Sequence, residues 1–238
     1  MPIKAVLFDL DGTLLPMDQE AFVDTYFKEL AAHMVPYGYD PKELVQTVWR
    51  GTVAMIQNDG SATNEAVFWQ TFLRQYGEKA VADRPFIDEF YRTGFAAVQR
   101  VCGCNPKAAA TVDALKQNGV RVVLATSPLF PPVATESRIR WAGLSPNDFE
   151  HVTTYDNCTY CKPNPAYYRE LLTRLNLEPE DCLMVGNDVG DDMVAKTLGM
   201  AVFLLTDHLI NKTETDITPF PHGGFDELIG FLRENGLI

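Results

Sequence analysis

Asp9 and Asp11, two acids with one residue between them, close the apolar run in "VLFDLDGTLL" (residues 6–15), and Gly12 and Thr13 follow at once. Carboxylates gathered at the end of a buried segment repel one another, and one of them protonates unless a cation lies between them. A divalent ion resolves that conflict. Mg²⁺ suits so small a donor set, because it keeps several waters and is held by few carboxylates plus a substrate phosphate. An aspartate can also act as a covalent nucleophile and form an aspartyl-phosphate. Later in the chain Thr126, Lys162 and the acidic stretch "NDVGDD" (187–192) add a hydroxyl, a cation and further carboxylates. These are the parts that phosphoryl transfer needs, since its barrier is lowered mainly by positioning and charge stabilisation.

Such residues must be brought together by the elements that carry them. Apolar, β-branched runs ending in polar residues recur at 5–11, 120–127, 151–156, 182–188 and 201–207. Helical features separate the last four. Asn105–Pro106 and Asn164–Pro165 are N-cap and first-turn pairs, Gly119 and Gly199 are stops, and "FDELIGFLREN" (225–235) is amphipathic. This alternation predicts an α/β fold: a Rossmann-like, doubly wound parallel sheet covered on both faces. Ligands of such sheets bind outside the carboxyl ends of the strands, where Asp9, Asp11, Thr126 and Asp188 would emerge. Residues 16–101 break the pattern with helices alone. Val23, Tyr26, Phe27, Leu30 and Met34 share one helical face, Asp40, Pro41 and Glu43 form a helix start, and 63–77 and 84–99 supply two more helices. The expected organisation is a core domain over 1–15 and 102–238 with an inserted all-helical cap domain over 16–101. The stretch 207–224 reads as a loop.

With 238 residues, 46% of them apolar, a sizeable core is possible. A net charge of −12 argues against nucleic acid or an anionic membrane as partner, but not against one small anionic substrate at a locally positive site. No run is long enough for a membrane span, and the N-terminal apolar segment is too short for a signal peptide. Five cysteines, an odd number at low density, suggest thiols in a reducing cytoplasm. The sequence carries no signal for an oligomeric state.

"DLDGTL" (9–14 with its preceding strand) resembles the first motif of the haloacid dehalogenase-like hydrolases, most of which are Mg²⁺-dependent phosphatases. The resemblance runs over the whole chain as four ordered motifs with a helical cap after the first, in the manner of the phosphoglycolate phosphatase-like branch. It implies Asp9 as the nucleophile and Asp11 as the general acid and then base, with its backbone carbonyl a metal ligand and Thr13 holding the loop. It implies that Thr126, with Ser127 as a substitute, and the backbone around Asp11 and Gly12 grip phosphate oxygens. Lys162 in "CKPNP" matches the basic third motif and would neutralise nucleophile and phosphate together. The fourth motif departs from the usual pattern. Counted back from Gly199, Asn187 and Asp191 hold the customary places, whereas Asp188 and Asp192 keep the acid spacing with a one-residue shift. Asp188 is taken here as the metal ligand beside Asp9 and Asp11. Asn187 and Asp191 remain as alternative ligands, and Asp192 as an acid that orients metal-bound water or pairs with Lys162.

Plainer readings compete at several positions. Thr126 and Ser127 could cap a helix, Lys162 could be a surface lysine, and Asp191 and Asp192 could favour a helix N-terminus. Cys158 and Cys161 have zinc-ligand or redox spacing, but Cys102 and Cys104 lie too close for the usual second pair. His208 in a polar loop reads as solvated. The expected function is Mg²⁺-dependent hydrolysis of a small phosphorylated metabolite. The alternatives are a phosphomutase, a 2-haloacid dehalogenase, against which Asp11 counts, or a catalytically idle binding protein on the same scaffold.

Overall fold

The computed structural model describes residues 3–238; residues 1 and 2, which the expected core domain includes, lie outside them. Its centre is a six-stranded sheet with order β3-β2-β1-β4-β5-β6, every neighbouring pair parallel. The strands are β1 (Ala5–Phe8), β2 (Arg121–Leu124), β3 (His151–Val152), β4 (Cys182–Gly186), β5 (Ala201–Leu205) and β6 (His222–Gly223). β1 runs between β2 and β4 and is buried along its whole length. Alternation of side chains across the pleat divides the strands between two apolar bodies. Val6, Phe8, Leu124 and Val185 face one, and Leu7, Val123, Met184 and Leu204 face the other. The first is covered by α5 (Pro106–Gln117), α6 (Pro132–Trp141) and α8 (Phe225–Glu234), and the second by α7 (Pro165–Leu175) with a tight turn at Met193–Leu198. Among the described residues no helix is long and apolar enough to cross a membrane.

Between β1 and β2 lie α1 (Gln19–Met34), α2 (Pro41–Ile56), α3 (Asn64–Tyr76) and α4 (Glu78–Arg92), followed by a 3₁₀ stretch at Gly94–Val101. Their starts follow local chemistry: Asp18, Asp40 and Thr63 each accept a first-turn N–H. The chain leaves and re-enters the sheet side by side, with Gly103 N–H donating to Pro16 C=O at 2.7 Å. The helices are not detached from the sheet. Phe22, Tyr26, Phe90 and Phe95 belong to the same apolar body as Phe8 and Leu124. Asn64, fully buried at the start of α3, is held by its N–H on Cys158 C=O at 2.9 Å, and its amide nitrogen lies 3.4 Å from Pro128 C=O and 3.3 Å from Tyr160 C=O.

The elements depart from the sequence expectations in identifiable ways. α4 begins at Glu78 rather than near Pro85, which sits inside it, and the chain beyond Arg92 tightens to 3₁₀ instead of continuing as α-helix. The expected helix before Gly199 is likewise 3₁₀. β3 has only two residues, because Thr153 turns its hydroxyl onto Thr126 C=O at 2.7 Å and the chain leaves the sheet. The stretch 207–224 contains β6 at its far end. α6 carried no expectation: it buries Ala134, Thr135, Arg138 and Ile139, a mixture without an apolar stripe.

Candidate active site

Past β1 the backbone reverses in a turn. Leu15 N–H donates to Leu10 C=O at 2.8 Å, and Gly12 N–H to Leu15 C=O at 2.8 Å. Gly12 takes φ +81°, and a Cβ there would fall on the Asn187 amide. Asn187 locks this turn to the neighbouring loops. Its Oδ1 accepts from Thr13 Oγ1 at 3.0 Å, and its Nδ2 donates to His208 C=O at 2.7 Å. With both ends of the amide engaged, Asn187 is a brace among three loops. Asp188 is differently placed: Oδ1 accepts from the N–H groups of Gly190 at 2.8 Å and Asp191 at 3.0 Å, and these bonds leave Oδ2 free. Asp192 folds back beneath it, accepting from Asp188 N–H at 2.9 Å. That approach requires the bare backbone of Gly186, where a Cβ would collide with the Asp192 carboxylate.

Lys162, just ahead of α7, is almost fully buried. Its Nζ donates to Asp9 Oδ1 at 2.9 Å and to Asp192 Oδ1 at 2.7 Å. Burial works against its charge, yet Asp192 and Asp9 together hold its pKa well above the ordinary lysine range. It is a fixed cation. Burial pushes Asp192 upward against the pull of Lys162, and it pushes Asp191 up to about 6 with help from Asp188. Two tyrosines of α7 set the flanking loops: Tyr167 donates to Thr126 C=O at 3.0 Å, and Tyr168 to Asp191 C=O at 2.8 Å.

Asp11 has a partner that sequence reasoning missed. Its Oδ2 is paired with Nη1 of Arg138, which is 1% exposed, while its Oδ1 is buried with no partner among the described residues. Arg138 in turn lies 4.4 Å from the Phe130 ring centroid and donates to Thr135 Oγ1 at 3.3 Å. Desolvation raises the Asp11 carboxyl to about 6, against the opposing pull of Arg138. A carboxyl held there can both give and take a proton near neutrality. The sequence around Arg138, "TESRIRW" (135–141), gives no signal that sets this arginine apart from Arg140.

The Asp9, Asp11, Lys162 and Asp192 side chains line one cleft of about 430 Å³ at the carboxyl ends of the strands, together with Thr126, Ser127, Asn187, Asp188 and Asp191. Gly12 does not line it, since its N–H serves the turn and its Cα backs onto Asn187. Among the described residues, no three His, Cys, Asp or Glu side chains stand where they could jointly hold a metal. Of the groups expected to hold an ion, Asp9 and Asp188 line the cleft, and the Asp11 carbonyl meets no described donor. This fits a hard ion that keeps most of its waters, and not a closed cage. Cys158 and Cys161 are buried, with burial pushing the Cys158 thiol up to about 12, and among the described residues no further ligand stands with them to complete a zinc site. His208 is exposed and contributes only its carbonyl.

A family model described as haloacid dehalogenase-like hydrolase matches residues 3–199. The chain is 28% identical to a phosphoglycolate phosphatase of Vibrio vulnificus over 86% of its own length and 84% of that protein. It is also 28% identical to the glyceraldehyde 3-phosphate phosphatase of Pyrococcus furiosus, covering 83% and 78% of the two chains. Among solved structures, the 2-haloacid dehalogenase of Pseudomonas syringae superposes with a TM-score of 0.66 at 20% identity, over 98% of this chain and 99% of that one. At that identity the likeness is one of fold.

Proposed function

Because the chain belongs to the haloacid dehalogenase-like hydrolases, we propose that it is a Mg²⁺-dependent phosphatase of small phosphorylated metabolites working through an aspartyl-phosphate. The observation that carries this reading is the buried Lys162 held between Asp9 and Asp192 beside Thr126. A cation fixed against a carboxylate lets that carboxylate approach an anionic ester. The phosphatase names of the relatives point the same way.

In this mechanism Thr126, with Ser127 beside it, and Lys162 bind the phosphoryl oxygens. The free oxygen of Asp9 attacks phosphorus, and the bond to the ester oxygen breaks. Protonated Asp11 donates its proton to the departing alkoxide. Asp11 then accepts a proton from water as that water attacks the aspartyl-phosphate, which releases inorganic phosphate and restores Asp9. Asp9, the Asp11 carbonyl and Asp188 would hold Mg²⁺. When bound, the ion offsets charge on the phosphoryl group and on the two acids. Residues 16–101 act as a cap over the core formed by 1–15 and 102–238, and the free thiols suit a reducing cytoplasm. Asp11 disfavours the dehalogenase reading, in which no leaving alkoxide needs a proton.

The test is hydrolysis of p-nitrophenyl phosphate. Activity is expected with Mg²⁺ and not with a chelator, and Asp9→Asn is expected to lose about 10³-fold or more in kcat. Chelator-resistant turnover would overturn the metal assignment, and a turning-over Asp9→Asn would overturn the nucleophile.

A further inference from the structure

Behind Asp11 the cleft opens into a second cavity of about 270 Å³ between the inserted helices and the sheet. Asp11, Gln19, Ile56, Leu129, Phe130 and Lys212 border both spaces. The acid that would protonate the departing oxygen therefore stands at the doorway between them. Whatever is attached to that oxygen extends into the second cavity. That position gives the cavity's lining a direct bearing on substrate choice.

The lining is aromatic. Trp49, Phe68, Trp69 and Tyr91 come from the inserted helices, and Phe130 and Tyr155 from the core. The charged groups are few. Lys212, on an exposed loop, is the one cation among the lining residues and sits at the shared mouth. Asp88 is an acid on the wall contributed by α4. Arg138 is close by but buried and committed to Asp11. A leaving group bearing a carboxylate or a second phosphate would find no cation in the interior and would face Asp88, whereas a planar neutral ring would meet ring faces and edges. An apolar cavity of about 150 Å³ accepts benzene, so the present volume admits a ring with its linker.

We propose that this protein's substrate is a phosphomonoester whose alcohol carries an uncharged aromatic or heteroaromatic ring, in preference to a carboxylate-bearing ester such as phosphoglycolate. This deepens the phosphatase reading and rests on it. Asp11 orients the ester so that the phosphoryl group faces Lys162 and the ring enters the second cavity.

The experiment compares kcat/KM for 2-phenylethyl phosphate and phosphoglycolate with Mg²⁺ present; both are alkyl esters, so the leaving-group chemistry is similar. The expected ratio is about tenfold or more in favour of the phenyl ester, the scale at which apolar pockets discriminate. Thr52→Phe, which fills the cavity from a partly exposed position on α2, and Asp88→Lys, which places a cation in it, should each lower that ratio about fivefold or more. Retained far-UV circular dichroism and melting cooperativity would show that both variants fold. A ratio of one or less, or a ratio that neither folded variant moves, would overturn the proposal while hydrolysis itself upholds the phosphatase reading. Absence of hydrolysis of both esters and of p-nitrophenyl phosphate would overturn that reading and the proposal with it.

Discussion

Lys162, Asp192 and Asp188 show how residues four positions apart, or on separate loops, divide labour that looks redundant in a sequence. Asp192 neutralises a buried lysine, so Asp192→Ala leaves that charge with one partner fewer and should destabilise the protein by about 3–5 kcal/mol. Asp188 is less buried and has a free oxygen; Asp188→Ala loses two backbone N–H contacts and should cost only about 1 kcal/mol, but it should raise the Mg²⁺ concentration for half-activity by about tenfold or more. Parallel melts and Mg²⁺ titrations check the pair, and the opposite order would put the fourth motif in the other register. Arg138→Met removes the cation that opposes burial at Asp11. The alkaline limb of the kcat/KM profile should then move to higher pH, because the acid holds its proton longer. Asp9, Asp11, Thr126 and Asp188 were legible in the sequence because each stands at the end of an apolar run, and Lys162 through its match to the basic third motif. Arg138 was not, for its partner lies 127 positions away and its helix has no periodic apolar face.

At the level of elements, alternating strands and helices with Asn-Pro starts were readable because caps and apolar periods are local. Asn105 and Asn164 do accept first-turn N–H groups. What escaped was set by distant partners: the shortness of β3, fixed by Thr153 on Thr126, and the start of α4 upstream of a proline. The seating of α3 on the sheet loops belongs to the same class. Asn64 bridges the loops that carry Thr126 and Lys162, with its side chain fully buried. Asn64→Ala leaves those carbonyls without a donor and should cost about 1–3 kcal/mol of stability. Looser loops should also lower kcat more than they raise KM. Thermal melts and steady-state kinetics would show it; a kcat equal to wild type would mean that α3 seats itself without the amide.

Taken whole, the molecule gathers unfavourable charge at one rim of its sheet. Asp11 and Asp191 are both held at about 6 by burial, the latter also by Asp188, whereas an aspartate in an unfolded chain titrates near about 4. Between those values the folded protein retains protons that the unfolded chain has released, so raising the pH through this interval weakens the metal-free protein. His151, lowered by burial, acts in the opposite sense but is one half-buried group against two acids, and Asp148 and Glu150, shifted downward, oppose only at lower pH and are exposed to solvent. Chelator-treated protein should therefore melt lower at about pH 7 than at about pH 5, and added Mg²⁺ should restore more at the higher pH. A melting temperature that rises with pH in the chelated protein would contradict this.

The apolar body that starts on one face of the sheet continues without a break into the inserted helices. Neither part can be solvated without stripping the other, so denaturation ought to proceed as one event, with calorimetric and van 't Hoff enthalpies in agreement. Excised alone, residues 16–101 would present a raw greasy face to water and should clump.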